Sequence, residues 1–498
     1  MKNSTLMTDL YELTMGQSYF DAGEKDKTAC FDIFFRSNPF NGGYTIMGGI
    51  DEVIEQIKNF KITDENIEFL RGLGLFSEEF LQYLRNIKFT GTITAVPTGT
   101  PVFPHEPVLT IRGPIIEAQL VETALLAIFN DCSLVATAAK RIKDAAGDIP
   151  VSEFGARRAR GIDAAVEASK YGYIGGCGST SNVLAGMKYN IPISGTMAHS
   201  LVCDSENEYE AFLKYAKSNP NNCIFLVDTY DTLRSGIPNA IRVARDYLIP
   251  NGYKFKGIRI DSGDLAYLSK EARRMLDEAG FTDTKICLSN GLNETTIKSL
   301  LQQGACIDLL GVGDNIAASK ERIGGVYKLA AAGYGDDLTP RIKISNDEVK
   351  TINPGYKRVY RFFDKKTGYA LGDVIALAYE EIPTDGYTLV SPTEDWKYTY
   401  LEDYEVRELH KPIFVNGQLV YNNPTVKEQK DYCDEQFKTL YPEIKRIENP
   451  HEYYVDLSED LLNLKKNMIK EIRNGINVSN AKRKVRRIEP INRRTQNS

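Results

Sequence analysis

Between about residues 149 and 330 the chain alternates short β-rich runs with helix-length amphipathic stretches, and few folds can use such a pattern. The apolar runs fall at 149–154, 173–176, 191–197, 223–227, 255–260, 285–288 and 307–311, and the helical stretches at 206–217, 238–248, 265–279 and 294–303. Runs spaced roughly twenty to thirty residues apart suit β/α units, whose strands pair in parallel. The number of units fits a barrel better than an open sheet, although periodicity alone does not separate the two.

The residues after each run carry more information than the runs themselves. They read Gly155-Ala156-Arg157-Arg158, Gly176-Cys177-Gly178-Ser179-Thr180-Ser181-Asn182, Ala198-His199-Ser200, Asp228-Thr229-Tyr230-Asp231, Asp261-Ser262-Gly263-Asp264, Ser289-Asn290-Gly291 and Gly313-Asp314-Asn315. Polar groups therefore gather at the carboxyl ends of the strands, where β/α proteins place their active sites. Glycine turns there bring backbone N–H groups close to an anion. Asp261 and Asp264 can hold ribose hydroxyls or a hydrated Mg²⁺ on a phosphate, while Asp264 before Leu265 also reads as a helix N-cap.

The flanks read differently. Residues 1–128 combine a short helix with strands at 30–36, 44–47 and within 91–112, and a long helix over 115–146 leads into the barrel. From 325 the chain returns to β-rich segments at 325–331, 341–344 and 358–363, able to pair with the N-terminal strands. This divides the chain into 1–128 and 325–424, two parts of one discontinuous domain, with 129–324 as the β/α unit and 425–498 as a helical extension.

Composition excludes several classes. The chain has 498 residues, 42% hydrophobic and 26% charged, with a net charge of −6, which disfavours nucleic acid as the main partner. Its basic tail (Lys482, Arg483, Lys484, Arg486, Arg487, Arg493, Arg494) reads as a solvated terminus. No continuous apolar run approaches the ~20 residues of a membrane span, and no leader peptide is evident, so the expected location is cytoplasmic. The eight cysteines are scattered without a CxxC pair, which argues for reduced thiols rather than zinc or disulfides. Of the four histidines, His105, His410 and His451 sit in Pro-rich or polar contexts and read as surface residues. His199 alone follows a strand-like run, so an acid–base group, a metal ligand or a phosphoryl acceptor are all open to it. Without a second His or Cys at ligand spacing, metal is the poorest of the three. Asp228 is placed to orient its imidazole.

The blocks Thr8-Asp9-Leu10-Tyr11-Glu12-Leu13-Thr14-Met15, Phe34-Phe35-Arg36-Ser37-Asn38-Pro39-Phe40-Asn41-Gly42-Gly43-Tyr44, Glu153-Phe154-Gly155-Ala156-Arg157-Arg158-Ala159, Gly195-Thr196-Met197-Ala198-His199, Ile258-Arg259-Ile260-Asp261-Ser262-Gly263-Asp264 and Gly324-Gly325-Val326-Tyr327-Lys328-Leu329 together resemble the nicotinate phosphoribosyltransferase family. The resemblance implies an irregular β/α barrel with an α/β sandwich, and a homodimer with shared active sites. It implies that Tyr11 crosses the interface to stack on the pyridine ring above Phe154, that Arg157, Arg259 and Ser181 bind nicotinate, and that Ser262, Gly263, Ser289, Asn290, Gly291, Gly311 and Gly313 hold phosphoribosyl pyrophosphate (PRPP). Arg36 and Lys343 become handles for phosphates. It also implies Mg²⁺, ATP as co-substrate, and phosphorylation of His199, with Asp228 and Asp261 beside it. Nicotinamide-using relatives carry an aspartate in the loop matching residues 179–182. Here that loop has no acid, which favours nicotinate. The family's Gly-Val-Gly-Thr turn is altered to Gly311-Val312-Gly313-Asp314, which loses a hydroxyl and adds a charge unfavourable to phosphate. A nicotinamide-using enzyme and a catalytically silent binding protein on the same fold are the alternatives.

Overall fold

The computed structural model describes residues 5–344, 351–391 and 396–488, and of the final helix beyond residue 475 the backbone alone. Its centre is a six-stranded parallel sheet in the spatial order Ser179–Thr180, Val151–Glu153, Leu309–Val312, Lys285–Ser289, Gly257–Ile260, Ile224–Leu226. The strands are short and buried, as in a sheet covered by helices, and pack through Val151, Phe225, Ile258, Ile260, Leu288 and Leu310 into one apolar core. The run at 191–197 adds only a bridge, Ile193 to Thr180, so the ladder has strand ends at Ser179–Thr180 and Ile224–Leu226 and is not closed by hydrogen bonds among the described residues.

A second sheet joins distant parts of the chain. Seven antiparallel strands run in the order Asp337–Pro340, Val326–Tyr334, Thr28–Phe34, Leu109–Pro114, Thr92–Ala95, Lys411–Val415, Gln418–Leu419. A further, four-stranded sheet has the order Tyr404–Glu408, Lys357–Asp364, Ala370–Leu377, Val455–Leu457, so the last part of the chain contributes a strand as well as the helices Val426–Lys438 and Glu459–Ile488. Lys170, on the helix Ile162–Ile174, is fully buried and pairs with Asp51 at 2.5 Å and Glu52 at 2.7 Å on the helix Ile50–Lys58. Breaking such a pair one-sidedly strands a buried charge.

Several local expectations are corrected. Residues 173–176 are not a strand. They close the helix Ile162–Ile174, whose buried Tyr171, Tyr173 and Ile174 look β-like in sequence but pack helically before Gly175 and Gly176 end it. Residues 341–344 are irregular, and the strand lies just before, at Asp337–Pro340. The long entering helix breaks at Val121 into Ile115–Leu120 and Glu122–Ala146. By length and composition Glu122–Ala146 is apolar enough to cross a bilayer, but more than half of its apolar window is buried inside the fold, as in a core helix. The backbone of residues 482–487 continues the final helix, while Arg493 and Arg494 lie outside the described residues. All eight cysteines are free, and Cys203 is the exposed one.

His410 is also not a surface residue. It is buried at 3% exposure with its Nε2–H donating to the Pro107 carbonyl at 2.6 Å, and its Nδ1 has no hydrogen-bond partner among the described residues. Burial pushes its pKa down to about 4. A group depressed in the folded state contributes stability above its unfolded pKa that is lost as pH falls toward the folded one. Between pH 7.5 and 5 the wild type should lose about 2 kcal/mol more stability than His410→Gln, whose amide can replace the donor. Urea unfolding of both at the two pH values measures this, and equal losses would refute it.

Candidate active site

Strand ends deliver the cluster because a parallel sheet points all its carboxyl termini the same way. After Ile224–Leu226, Asp228 is 1% exposed at its side chain. Its Oδ2 accepts the Asp261 N–H at 2.9 Å and the Ser262 hydroxyl at 2.6 Å. Its Oδ1 is buried without a hydrogen-bond partner among the described residues. After Gly257–Ile260, Asp261 Oδ1 accepts from Arg259 Nη2 at 2.9 Å and from the Ser289 hydroxyl.

Arg259 braces three segments. Its Nε donates to Ser289 Oγ at 2.8 Å, its Nη1 to Thr196 Oγ1 at 3.2 Å, and its guanidinium lies 5.6 Å from the centre of the Phe154 ring. The ring is seated by Gly311, a buried residue of the strand Leu309–Val312, where an added Cβ would come within 2.5 Å of it. Glycine at 311 thus has a steric reason beside the phosphate role expected of it.

His199 opens the short helix His199–Cys203. Its Nδ1 is 3.0 Å from Thr229 Oγ1, and its Nε2 is 4.0 Å from both Asp228 Oδ1 and Asp261 Oδ2. At that distance Asp228 does not hydrogen-bond the imidazole. The orienting contact comes instead from Thr229, which the sequence displayed without marking.

Around this cluster lie exposed turns. Asn290 and Gly291 have positive φ values of 91° and 61°, and Asn315 Nδ2 holds the turn through the Leu292 carbonyl at 2.8 Å. Gly263 has φ 78°, and Asp264 caps the helix Leu265–Glu278 by accepting the Tyr267 N–H at 3.0 Å. Gly313 precedes the one-turn helix Asp314–Ala317, which leaves Asp314 exposed. Arg157 is exposed with no hydrogen bond or ion pair to the described residues, and Ser181 is exposed on the next turn. Among the described residues no group of three or more His, Cys, Asp or Glu could by itself hold a metal.

Three predicted residues stand apart from this cluster. Tyr11, on the helix Leu10–Asp21, donates to Glu122 Oε1 at 2.9 Å and is 46% exposed. Arg36 has a buried Nε without a hydrogen-bond partner among the described residues and lies 5.9 Å from the Phe34 ring. Lys343 is exposed. None of the three hydrogen-bonds or ion-pairs with the His199–Arg259 cluster among the described residues. Arg36 and Lys343 do lie within electrostatic reach of Lys328, which sequence reasoning missed although it sits in the block from Gly324 to Leu329. Burial lowers the Lys328 pKa, Lys343 and Arg36 add repulsion, and Glu122 opposes them. His105 is lowered by burial and by the nearby cations Lys465 and Arg36.

Fold and cluster belong to the broad class of β/α enzymes that work at the carboxyl ends of a parallel sheet. Family models narrow that class. The nicotinate phosphoribosyltransferase N-terminal domain matches residues 6–130, the nicotinate phosphoribosyltransferase family 149–317, and the C-terminal domain 356–465. The nicotinate phosphoribosyltransferase of Bacillus subtilis is 44% identical over 476 residues, covering 95% of this chain and 96% of its own. The human enzyme of that name is 32% identical, covering 92% and 95%. The crystal structure of human nicotinic acid phosphoribosyltransferase superposes with a TM-score of 0.81 at 30% identity, covering 93% of this chain and 99% of that one. A Pyrococcus furiosus nicotinate-nucleotide pyrophosphorylase shares the fold, with a TM-score of 0.67 at 24% identity over 87% of this chain and 95% of that one. The chain belongs to the nicotinate phosphoribosyltransferase family.

Proposed function

We propose that the protein joins nicotinate to C1 of PRPP, releasing pyrophosphate and nicotinate mononucleotide, with ATP hydrolysis coupled through a phosphohistidine at His199. The observation that carries this reading is the single hydrogen-bonded cluster linking Asp228, Asp261, Arg259 and Ser289, with His199 at its edge. The pyridine nitrogen already holds a lone pair, so no base is needed to activate it, and the protein's work is alignment and charge stabilisation. Phe154 and Arg259 form one wall of the pyridine slot, and Arg157, without a hydrogen bond or ion pair among the described residues, is placed to pair with the carboxylate. Asp261 and Ser289 face the ribose. The turns at Ser262-Gly263, Asn290-Gly291 and Gly313 offer N–H groups to phosphates, and Gly311 leaves room for the Phe154 ring beside them.

At His199, an Nδ1–H donated to Thr229 leaves the Nε2 lone pair free to take the γ-phosphoryl group of ATP. The product adds about two negative charges beside two carboxylates. The residues fit a divalent cation there, because Asp228 Oδ1 is buried without a hydrogen-bond partner among the described residues and Mg²⁺ is commonly held by one or two carboxylates plus substrate phosphates. Asp228 and Asp261 would hold it, and when bound it supplies charge neutralisation at phosphate oxygens. Thr229→Val should cut ATP turnover about tenfold, the worth of one positioning hydrogen bond, with nicotinate KM unchanged. Wild-type ATP turnover would remove Thr229 from this role.

A homodimer in the cytoplasm completes the reading. Met7, Leu10, Tyr11 and Met15 are exposed around the N-terminal helix, and Ile162, Val183, Leu184, Met187 and Ile193 are exposed beside Ser181. Joining such patches would bring Tyr11 of a second copy over the pyridine slot, and Arg36, Lys328 and Lys343 toward its phosphates. The acid-free turn at Ser181 favours nicotinate over nicotinamide. Pyrophosphate release measured with each pyridine, PRPP and ATP tests the function: release with nicotinate is the expected result. A preference for nicotinamide would reassign the substrate, and no release with either would mark a silent binding protein.

A further inference from the structure

Glu153 ends the strand Val151–Glu153 at 0% exposure, and among the described residues no cation pairs with it. Its partners are neutral donors. Oε1 accepts the Gly155 N–H, and Oε2 accepts the hydroxyls of Thr180 at 2.7 Å and Ser169 at 2.9 Å. Burial raises its pKa against these hydrogen bonds. Nothing in the reaction proposed above uses this carboxylate, and an uncompensated buried acid costs stability.

The geometry gives it another task. Thr180 Oγ1, while donating to Glu153, accepts the Asn182 N–H at 3.0 Å. Asn182 Nδ2 donates to the Ala165 carbonyl at 3.2 Å, and Ser169 Oγ lies 3.0 Å from that same carbonyl. Glu153, Thr180, Asn182 and Ala165 thus form a relay of hydrogen bonds, and the one Ser169 proton is shared between Glu153 and the Ala165 carbonyl at its two ends. The Glu153 carbonyl also accepts the Ser181 N–H at 2.9 Å. Ser181 is held from both sides, and Phe154 is the next residue after Glu153. Glycines make room: a Cβ at Gly155 would lie 2.9 Å from Glu153 Oε1, and one at Gly172 would lie 3.1 Å from its Cγ.

We infer that Glu153 is a positioning residue that sets the separation of Phe154 from the Ser181 turn, and through it the preference of the slot for a pyridine acid over its amide. The inference rests on the slot proposed above. The carboxylate is turned inward, so it shapes the turn without presenting a charge to the substrate.

Steady-state kinetics with nicotinate, nicotinamide and PRPP test it on Thr180→Val, Glu153→Ala and Glu153→Gln. Thr180→Val removes the relay with little change in shape, and it carries the test if Glu153→Ala does not fold. Thr180→Val and Glu153→Ala should raise nicotinate KM about tenfold, lower the acid-to-amide ratio of kcat/KM, and leave PRPP KM within about twofold of wild type. Glu153→Gln should recover most of the loss, because its amide oxygen still accepts the Gly155 N–H while its NH₂ faces hydroxyls that can accept. A fall in kcat alone, with nicotinate KM and the acid-to-amide ratio at wild-type values, would overturn the role. Phe154→Leu separates the two claims. An unchanged nicotinate KM there overturns the slot itself, whereas a raised KM there beside wild-type values in Thr180→Val overturns Glu153's part alone.

Discussion

Replacing His199 with alanine should abolish ATP turnover, by at least about a thousandfold if it is the covalent acceptor, while slow, uncoupled phosphoribosyl transfer survives. The asymmetry comes from the site. The imidazole is 42% exposed and, among the described residues, meets the cluster through Thr229 at 3.0 Å and two carboxylates at 4.0 Å. Phe154, Arg259, Asp261 and Ser289 keep their own bonds without it. Folding stability should fall by no more than about 1 kcal/mol, the worth of one partly exposed hydrogen bond. Incubation with γ-labelled ATP provides the direct measurement: an acid-labile, alkali-stable phosphoprotein in the wild type, absent from the variant. Full ATP stimulation in His199→Ala would overturn the assignment.

Arg157→Ala should raise nicotinate KM about ten- to a hundredfold, the range for losing a charge-assisted pair with a carboxylate, and leave kcat near wild type. Arg157 suits this experiment better than Arg259. It is exposed without a hydrogen bond or ion pair to the described residues, so its loss should change stability by less than about 0.5 kcal/mol. Arg259→Ala would break bonds to Ser289, Thr196 and Asp261 at once and confuse binding with collapse of the cluster. An unchanged nicotinate KM in Arg157→Ala would mean that another group holds the carboxylate.

The parallel strands were legible because sheets buried on both faces need apolar runs, which Lys285–Ser289 and Leu309–Val312 have and Gly257–Ile260 interrupts only at Arg259. Their carboxyl-end residues were legible for the same reason, since strand direction alone puts Asp228, Asp261 and Ser289 on one side. Residues 173–176 misled because Tyr and Ile serve a buried helix end as well as a strand. Thr229, Glu153 and His410 were hidden for a different reason. Each acquires its role from a partner far along the chain: Thr229 from His199, Glu153 from Ser169 and Thr180, His410 from Pro107. No local pattern records such partners. Lys328 was likewise hidden, because only folding brings it beside Arg36 and Lys343.

The seven-stranded sheet has a consequence for how the chain is made. Thr28–Phe34 is flanked on one side by Leu109–Pro114 and on the other by Val326–Tyr334. A ribosome must add about two hundred residues between these two neighbours, which takes on the order of ten to forty seconds. Throughout that interval Thr28–Phe34 is a bare apolar strand edge, the kind that recruits other chains. The β/α segment emerges during the wait, so the central unit can collapse before the strand is covered. Proteins of this build should therefore depend on chaperones most while nascent, and truncation just before residue 326 should yield aggregates rather than a smaller working enzyme.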